Sequence, residues 1–302
     1  MAEAPLMAHD RHPGRLKILL ALLMATALVG LVIWVALLPR PSAPQVEGRL
    51  WLMRRDGTNA SALSSPYVNS PPAFGPGGLI YFSRYTGQTT NLTVADPVAG
   101  TVRDLGVQGH SPAPARDGVR LGYLDYGQVK LLFLNNGTRI TLFRASDWPS
   151  CIDVDNLAFS PNGSLLAWVC STTVADGGFD ILQIVIYDFS SGTIRAVGTE
   201  PDFVFLDDEK VVVQNGQTAQ ADLAVKRIAT WQTERTLPGS CIEPAADPDG
   251  RAVVCADHSA RYTALYSVDI ETSTRTFLYS DPGWILRWPA ISLDGQWVVF
   301  VR

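Results

Sequence analysis

Few residues in this sequence combine the types and spacing that enzyme chemistry requires. The chain contains no GxSxG nucleophile elbow, no HExxH zinc motif and no phosphate-binding P-loop. No two cysteines have the CxxC spacing of a zinc site. Of the four histidines, only His110 and His258 lie in the body of the chain, and they are far apart in sequence. We therefore expect a protein without catalytic residues, metal or cofactor.

Aromatic side chains are better candidates for a functional surface. They recur in short segments, most of them rich in Pro and Gly, that separate apolar runs. With one histidine, the candidates are Tyr67, His110, Trp148, Phe203, Trp284 and Trp288. Because aromatic residues dominate binding hot spots, these six would form a binding surface if the segments met on one face. For Trp148 and Trp288, each directly before a proline, packing inside the core is the alternative.

One pattern of strands repeats along the chain. It consists of a short apolar run, a turn containing Gly with Pro, Asp or Asn, and a second apolar run. Copies begin near residues 72, 112, 157, 244 and 289, and a degenerate copy near 201 has lost the glycine of its turn. This spacing of about 40–45 residues is typical of four-stranded propeller blades. The sequence therefore predicts an all-β, six-bladed propeller.

The two ends of the repeat region are incomplete in complementary ways. Residues 48–64 read as the outer two strands of a blade with no inner half before them. Residues 289–302 read as the inner two strands with no outer half after them. We predict that the two ends pair into one shared blade, because such closure removes exposed strand edges.

The topology of a propeller places the six candidates. Links from the fourth strand of one blade to the first strand of the next lie on the same face as links from the second strand to the third. We call this the mouth face. All six candidates fall in links between blades, so we expect them near the mouth of the central channel.

The N-terminal part of the chain predicts a membrane anchor. Residues 18–38 form an uncharged apolar run that is long enough to cross a bilayer. Three basic residues precede this run and one follows it closely, which favours a cytoplasmic N-terminus. We predict a cytoplasmic tail at 1–15, a transmembrane helix at 16–38, a linker at 39–48 and the propeller at 49–302. A cleaved signal peptide is the alternative, and in both cases the body lies outside the cytoplasm.

The four cysteines fit an extracytoplasmic location. An even number in an oxidising compartment indicates two disulfides, for which three pairings are possible. In a hairpin turning near 161–162, position 170 lies opposite about 153, and a turn near 248–249 brings 255 opposite about 242. We therefore predict the bridges Cys151–Cys170 and Cys241–Cys255. Buried free thiols are the alternative.

The repeats resemble the TolB-type propeller repeat of bacterial envelope proteins. AFSPNGSLLAW (158–168) and ISLDGQWVVF (291–300) are similar to the first half of that repeat, and LWLMRRDGTNASAL (50–63) to its second half. The resemblance covers about 49–302. It implies a six-bladed propeller that binds proteins or stands beside a hydrolase as an accessory domain.

Together these patterns predict a single-pass protein of the cell membrane with a monomeric, non-catalytic propeller on the outer side. Its partner would be a protein or an envelope component, including one held in the membrane. The net charge of −5 and the scattered basic residues argue against nucleic acid. The alternatives are a propeller enzyme, or hydrolase accessory, with a small molecule or glycan in its central funnel, and a structural spacer. A binding module predicts an aromatic-rimmed mouth without converging acids, whereas an enzyme predicts titratable groups within hydrogen-bond reach.

Overall fold

The computed structural model describes residues 48–63, 67–148, 151–172, 181–216, 221–258 and 263–302. Within these residues the chain forms six antiparallel sheets of four strands each. The chain enters through strands β1 (Leu50–Arg54) and β2 (Ser61–Ala62). The predicted all-β, six-bladed propeller is confirmed.

Blades 1 to 3 follow in chain order, each with its first strand innermost. Blade 1 contains β3 (Ala73–Phe74), β4 (Ile80–Tyr85), β5 (Thr90–Asp96) and β6 (Thr101–Gln108). Blade 2 contains β7 (His110–Pro114), β8 (Arg120–Leu124), β9 (Gln128–Phe133) and β10 (Arg139–Arg144). Blade 3 contains β11 (Asp153–Phe159), β12 (Leu165–Thr172), β13 (Ile181–Asp188) and β14 (Thr193–Gly198). Two short 3-10 helices lie at Pro76–Gly78 and Ala145–Asp147.

Blades 4 to 6 complete the ring. Blade 4 contains β15 (Phe203–Phe205), β16 (Lys210–Asn215), β17 (Asp222–Arg227) and β18 (Thr233–Leu237). Blade 5 contains β19 (Ile242–Ala246), β20 (Ala252–Asp257), β21 (Ala264–Asp269) and β22 (Arg275–Ser280). Blade 6 combines β23 (Arg287–Ile291) and β24 (Trp297–Val301) with β1 and β2, in the order β2-β1-β24-β23.

The shared blade closes the ring as the sequence predicts. Strands β1 and β24 pair antiparallel over five residues each, with Leu52 opposite Val299. The backbone carbonyl of Arg302 accepts a hydrogen bond of 2.7 Å from the N–H of Gly48. Both ends of the repeat region are therefore held in one sheet.

The core lies between neighbouring blades. In blade 3, residues 166–170 of β12 are buried without interruption, whereas β14 is mostly exposed. A central strand reads as a continuous apolar run because other blades cover both of its faces. Trp168, for example, is fully buried, and its ring lies 4.9 Å from that of Phe143 in blade 2. The stacking of blades thus provides the apolar burial that stabilises the ring.

Both predicted disulfides are present. Cys151–Cys170 lies in blade 3 and Cys241–Cys255 in blade 5, each with a Cα–Cα distance of 5.5 Å. The register differs from the prediction by one residue in each case, because the hairpins are centred later in the chain than predicted. The bulges in β11 and β19 offset part of that shift. Cys170 is therefore opposite Val154 instead of residue 153.

The predicted tail 1–15, transmembrane helix 16–38 and all of the linker except its last residue lie outside the described residues. Among the residues that are described, no helix has the length and apolar character needed to span a bilayer.

Candidate functional site

The central channel is built from equivalent positions of the six innermost strands. Each strand places a small side chain in the channel, and these residues are Ala73, Ala113, Ala158, Val204, Ala245 and Ala290. Two positions earlier, each blade contributes one residue to a second ring at the mouth face. This mouth ring consists of Pro71, Ser111, Asn156, Asp202, Glu243 and Trp288. The ring opens into a funnel of about 700 Å³.

A recurring β-bulge shapes the mouth ring. Ser111, Asn156, Glu243 and Trp288 all have φ between 44° and 53°. In each of their strands the pairing register shifts at this residue. A bulge leaves one residue out of the ladder and redirects its side chain. Proline follows three of the four, at positions 112, 244 and 289. The same backbone distortion therefore turns a side chain towards the funnel in four blades.

Side chains at the ring link neighbouring blades. The amide of Asn156 in blade 3 donates to the carboxylate of Asp202 in blade 4, and its Nδ2 lies 3.2 Å from the carbonyl oxygen of Phe203. Between blades 1 and 2, the N–H of Ser111 donates to the hydroxyl of Ser70 at 3.1 Å. The Ser111 contact satisfies a backbone N–H that the bulge leaves without a ladder partner.

Glu243 links blade 5 to blade 6. Its Oε2 accepts a hydrogen bond of 2.7 Å from the N–H of Trp288. Its Oε1 accepts from the guanidinium of Arg287 at 3.1 and 3.2 Å. The same guanidinium lies 4.3 Å from the centre of the Trp288 ring. One carboxylate thereby fixes an aromatic and a cationic side chain of the neighbouring blade at the mouth.

Acidic groups converge beside this link, whereas a binding module predicts a mouth without converging acids. Burial raises the pKa of Asp202 well above the ordinary value of 3.8, and the nearby charge of Glu243 raises it further. The charge of Asp155 acts in the same direction, whereas hydrogen bonds from the Phe203 N–H and from Asn156 oppose the shift. Desolvation and like charges both disfavour the ionised form.

The funnel and the channel below it differ in character. The funnel is lined by four carboxylates and one guanidinium, which belong to Asp153, Asp155, Asp202, Glu243 and Arg287. His110 is a further titratable group of the lining. The throat below, a narrower space of about 220 Å³, is lined mainly by Ala, Pro, Phe and other apolar side chains. A ligand entering from the mouth face thus meets polar, mainly acidic groups first and apolar groups deeper in.

The structure distributes the six sequence candidates over three environments. His110 and Trp288 line the funnel, and Phe203 is buried at the throat. Tyr67 is exposed on the mouth face, away from the funnel lining.

The two remaining tryptophans pack against the blades. Trp148 lies 6.1 Å from the Phe143 ring at the core of blades 2 and 3. The Arg302 guanidinium lies 4.3 Å from the ring of Trp284. Trp148 packs against the core of blades 2 and 3, whereas Trp288 both lines the funnel and packs against the core between blades 6 and 1.

The acidic and amide members of the ring were missed by sequence reasoning. Asn156, Asp202 and Glu243 are polar residues next to turns, and single-sequence patterns do not separate them from solvated loop residues. A usable signal exists: Asn156 and Glu243 directly precede the two residues with which their repeat copies begin, and Asp202 precedes the corresponding pair Phe203–Val204 of the degenerate copy. If the six copies are aligned on these two residues, the position directly before them contains all six residues of the mouth ring.

Two contacts bear on catalysis. Glu243 and Arg287 are titratable groups within hydrogen-bond reach, as an enzyme would require, but both are engaged in joining blades. The hydroxyl of Ser111 lies 3.2 Å from Nδ1 of its neighbour His110. In the described part of the chain no carboxylate hydrogen-bonds to His110, so the third member of a nucleophilic triad is missing there. Nor do three His, Cys, Asp or Glu side chains among the described residues cluster as metal ligands.

Comparison with known proteins places the fold. No family model and no curated protein matches this sequence. Among solved structures, TolB from Acinetobacter baumannii is similar, with a TM-score of 0.64 and 17% identity over 82% of this chain and 68% of that one. A putative TolB from Agrobacterium tumefaciens has a TM-score of 0.64 and 15% identity over 85% and 98%. An oligogalacturonate lyase in complex with manganese has a TM-score of 0.57 and 14% identity over 83% and 78%.

These likenesses define the class of protein. The chain is an all-β, six-bladed propeller with a TolB-like fold. Since the neighbours include a lyase, the fold by itself does not decide between binding and catalysis.

Proposed function

We propose that this protein is a non-catalytic binding module of the cell envelope, which holds a protein or an envelope component at its mouth face. The observation that carries the proposal is the mouth ring. Six blades direct one residue each to a common funnel, and the polar contacts there hold the ring in place without forming a complete catalytic group. Such preorganised, convergent side chains are typical of binding sites.

The charge of the funnel suggests the chemistry of the ligand. Four carboxylates face one guanidinium, and that guanidinium is paired with Glu243. A ligand segment carrying amino or guanidinium groups would complement this surface, with apolar side chains reaching the throat. Trp288 and His110 would contribute contact area at the edge.

We further propose that residues 16–38 anchor the chain as a single transmembrane helix, with the N-terminus in the cytoplasm and a monomeric propeller outside. Support comes from the uncharged run at 18–38, the basic residues before it and the two disulfides, which favour an oxidising compartment. The partner would then be an envelope protein or component, including one in the same membrane.

Site-specific crosslinking in membranes tests the binding proposal. A photoreactive residue at His110 or Trp288 should crosslink to a ligand, whereas one at Val98 or Val119, in links on the opposite face, should not. Asp155→Lys, at an exposed funnel position, should weaken the crosslink. Asp249→Lys is the matched control, because Asp249 is exposed in a turn on the opposite face and also caps a nearby backbone N–H. Equal crosslinking from both faces would refute the proposal.

Catalysis is the second candidate function, favoured by the Ser111–His110 contact and by the lyase among the structural neighbours. A serine-directed fluorophosphonate probe distinguishes the two. Labelling of the wild type that is lost in Ser111→Ala would identify a nucleophile and favour an enzyme. Absence of labelling in folded protein favours the binding module.

A further inference from the structure

Three tyrosines and an isoleucine are exposed on the mouth face over blades 1 to 3, and we propose that this surface contacts the headgroup region of the lipid bilayer. The tyrosine patch consists of Tyr67, Tyr85, Tyr126 and Ile152, whose exposed fractions are 66, 46, 88 and 57%. The inference rests on the proposed membrane anchor. It adds which part of the propeller faces the membrane.

All four residues belong to links of the mouth face. Tyr67 and Ile152 lie in links between blades, Tyr126 lies between β8 and β9, and Tyr85 ends β4. The other large apolar residues exposed in the described part of the chain lie on outer strands or in links of the opposite face: Val98, Val102, Val119, Ile140 and Phe277. Exposed tyrosines therefore gather on one face.

Backbone contacts bring the patch residues together in two pairs. The N–H of Tyr85 donates to the carbonyl of Tyr67 at 2.9 Å. In the next blade, Gly127 accepts a hydrogen bond of 2.8 Å from Ala145 and lies close to the carbonyl of Ile152. The backbone therefore brings Tyr67 next to Tyr85, and the Tyr126–Gly127 turn close to Ile152.

Two of the tyrosines occupy backbone positions that suit other residues better. Tyr67 has φ of 84° and Tyr126 has φ of 46°. Tyr126 and Gly127 form the centre of a two-residue hairpin, closed by hydrogen bonds of 3.0 and 3.1 Å between Asp125 and Gln128. Asn-Gly is the preferred pair in such turns, since bulky residues rarely adopt positive φ. A tyrosine at position 67 or 126 does not favour the local backbone conformation, and its ring is exposed to solvent. This combination indicates a role at the surface.

The chain outside the described region reaches the propeller at this patch. Nine residues, 39–47, separate the end of the apolar run from Gly48, and they span at most about 30 Å. The carbonyl of Gly48 accepts a hydrogen bond of 2.7 Å from Val68, directly after Tyr67. An anchored propeller would therefore have this part of its mouth face within reach of the bilayer surface. Tyrosine is enriched at that depth, where its ring is buried and its hydroxyl hydrated.

The charges around the patch specify the type of contact. Arg144 and Asp147 are both exposed at the start of the link that leads to Ile152, and they have opposite signs. Asp153, also exposed, directly follows Ile152, so these charges carry no net positive charge that would attract anionic lipid, and the attraction is apolar. It should not require anionic lipid and should persist at high salt.

Photolabelling of the full chain tests the inference. The protein is reconstituted into phosphatidylcholine vesicles that contain a phosphatidylcholine with a photoreactive group at the interface, and labelled peptides are mapped by mass spectrometry. We expect labels around Tyr67, Tyr85 and Tyr126. The labels should remain at about 1 M salt, where the Debye length is only about 3 Å.

A patch variant and a matched control make the result specific. In Tyr67→Asn combined with Tyr85→Thr and Tyr126→Asn, labelling of the propeller should fall roughly fivefold, because interfacial binding scales with buried apolar area. Asn suits the positive φ at 67 and 126, so the fold should be retained. The control, Val98→Thr with Phe277→Thr, removes exposed apolar groups elsewhere and should keep full labelling.

The experiment distinguishes failure of the proposed lipid contact from failure of the proposed membrane anchor. If the chain resists alkaline extraction but the patch and control variants label equally, the contact is refuted and the anchor stands. Crosslinks between patches of two copies would assign the surface to a second copy and also refute it. If alkali extracts the wild-type chain from the vesicles, the anchor fails, and the inference fails with it.

Discussion

Asn156 in β11 and Asp202, directly before β15, are joined by a hydrogen bond across the boundary between blades 3 and 4. Asn156 is in a left-handed backbone conformation that turns its amide towards the funnel. Asp202 accepts at a position where burial and neighbouring acids disfavour its charge. The contact shows how one structural device, the bulge at the mouth ring, both joins blades and shapes the candidate site.

The raised pKa of Asp202 predicts a pH-dependent stability. Because its folded pKa lies above its unfolded value, the folded state binds more protons than the unfolded state from about pH 4 upwards. The free energy of unfolding should therefore fall as the pH rises through this range, and less so in Asp202→Asn. Urea unfolding of both proteins between pH 4 and 7 measures the difference. Asp249→Asn, in an exposed turn, serves as the control and should follow the wild type.

The charges of Glu243 and Asp155 should help to set the pKa of Asp202. Glu243→Gln removes the charge that, after burial, contributes most to raising the pKa of Asp202. The pKa of Asp202 should fall, and fall further than in Asp155→Asn, since Asp155 has the smaller effect. Carboxyl chemical shifts followed by NMR give both values. An unchanged pKa in Glu243→Gln would mean that the two groups do not interact.

Closure of the ring should be the most sensitive point of the fold. Val299 is fully buried, pairs with Leu52 of β1 and lies opposite Ala290 of β23. Val299→Asp puts an unpaired charge there and should cost at least about 4 kcal/mol of unfolding free energy. The same change at Val98, which is 94% exposed, should cost no more than about 0.5 kcal/mol. Chemical denaturation compares the two variants, and similar costs would contradict the shared blade.

The disulfides should contribute comparably to stability. Their sequence separations are 19 and 14 residues, for which chain entropy predicts about 3 kcal/mol each. Replacing either pair with alanine should lower the free energy of unfolding by roughly 2–4 kcal/mol. Since the bridges are in blades 3 and 5 with blade 4 between them, the two losses should add. A double variant much less stable than that sum would show that the blades are coupled.

Much of the architecture could be predicted from local pattern. The glycines of the turns at 161–163, 248–250 and 293–295 lie 87 and 45 residues apart, which is two repeats and one repeat, and such spacing is a property of the chain alone. The bridge between Cys151 and Cys170 followed from counting along a hairpin, and the bulge in β11 kept the observed register within one residue of that count. Whether the six aromatic candidates bind a partner remains a prediction.

The sequence by itself determined the number of blades, their strand order and the pairing of the two chain ends, because turn residues and alternating burial act over a few neighbouring residues. Only the tertiary structure decided which side chains meet at the mouth. Asn156, Asp202 and Glu243 are brought together by the closure of the ring and by bulges whose positive φ no local pattern announces. The raised pKa of Asp202 arises in the same way, since desolvation and like charge depend on distances that exist only in the folded ring.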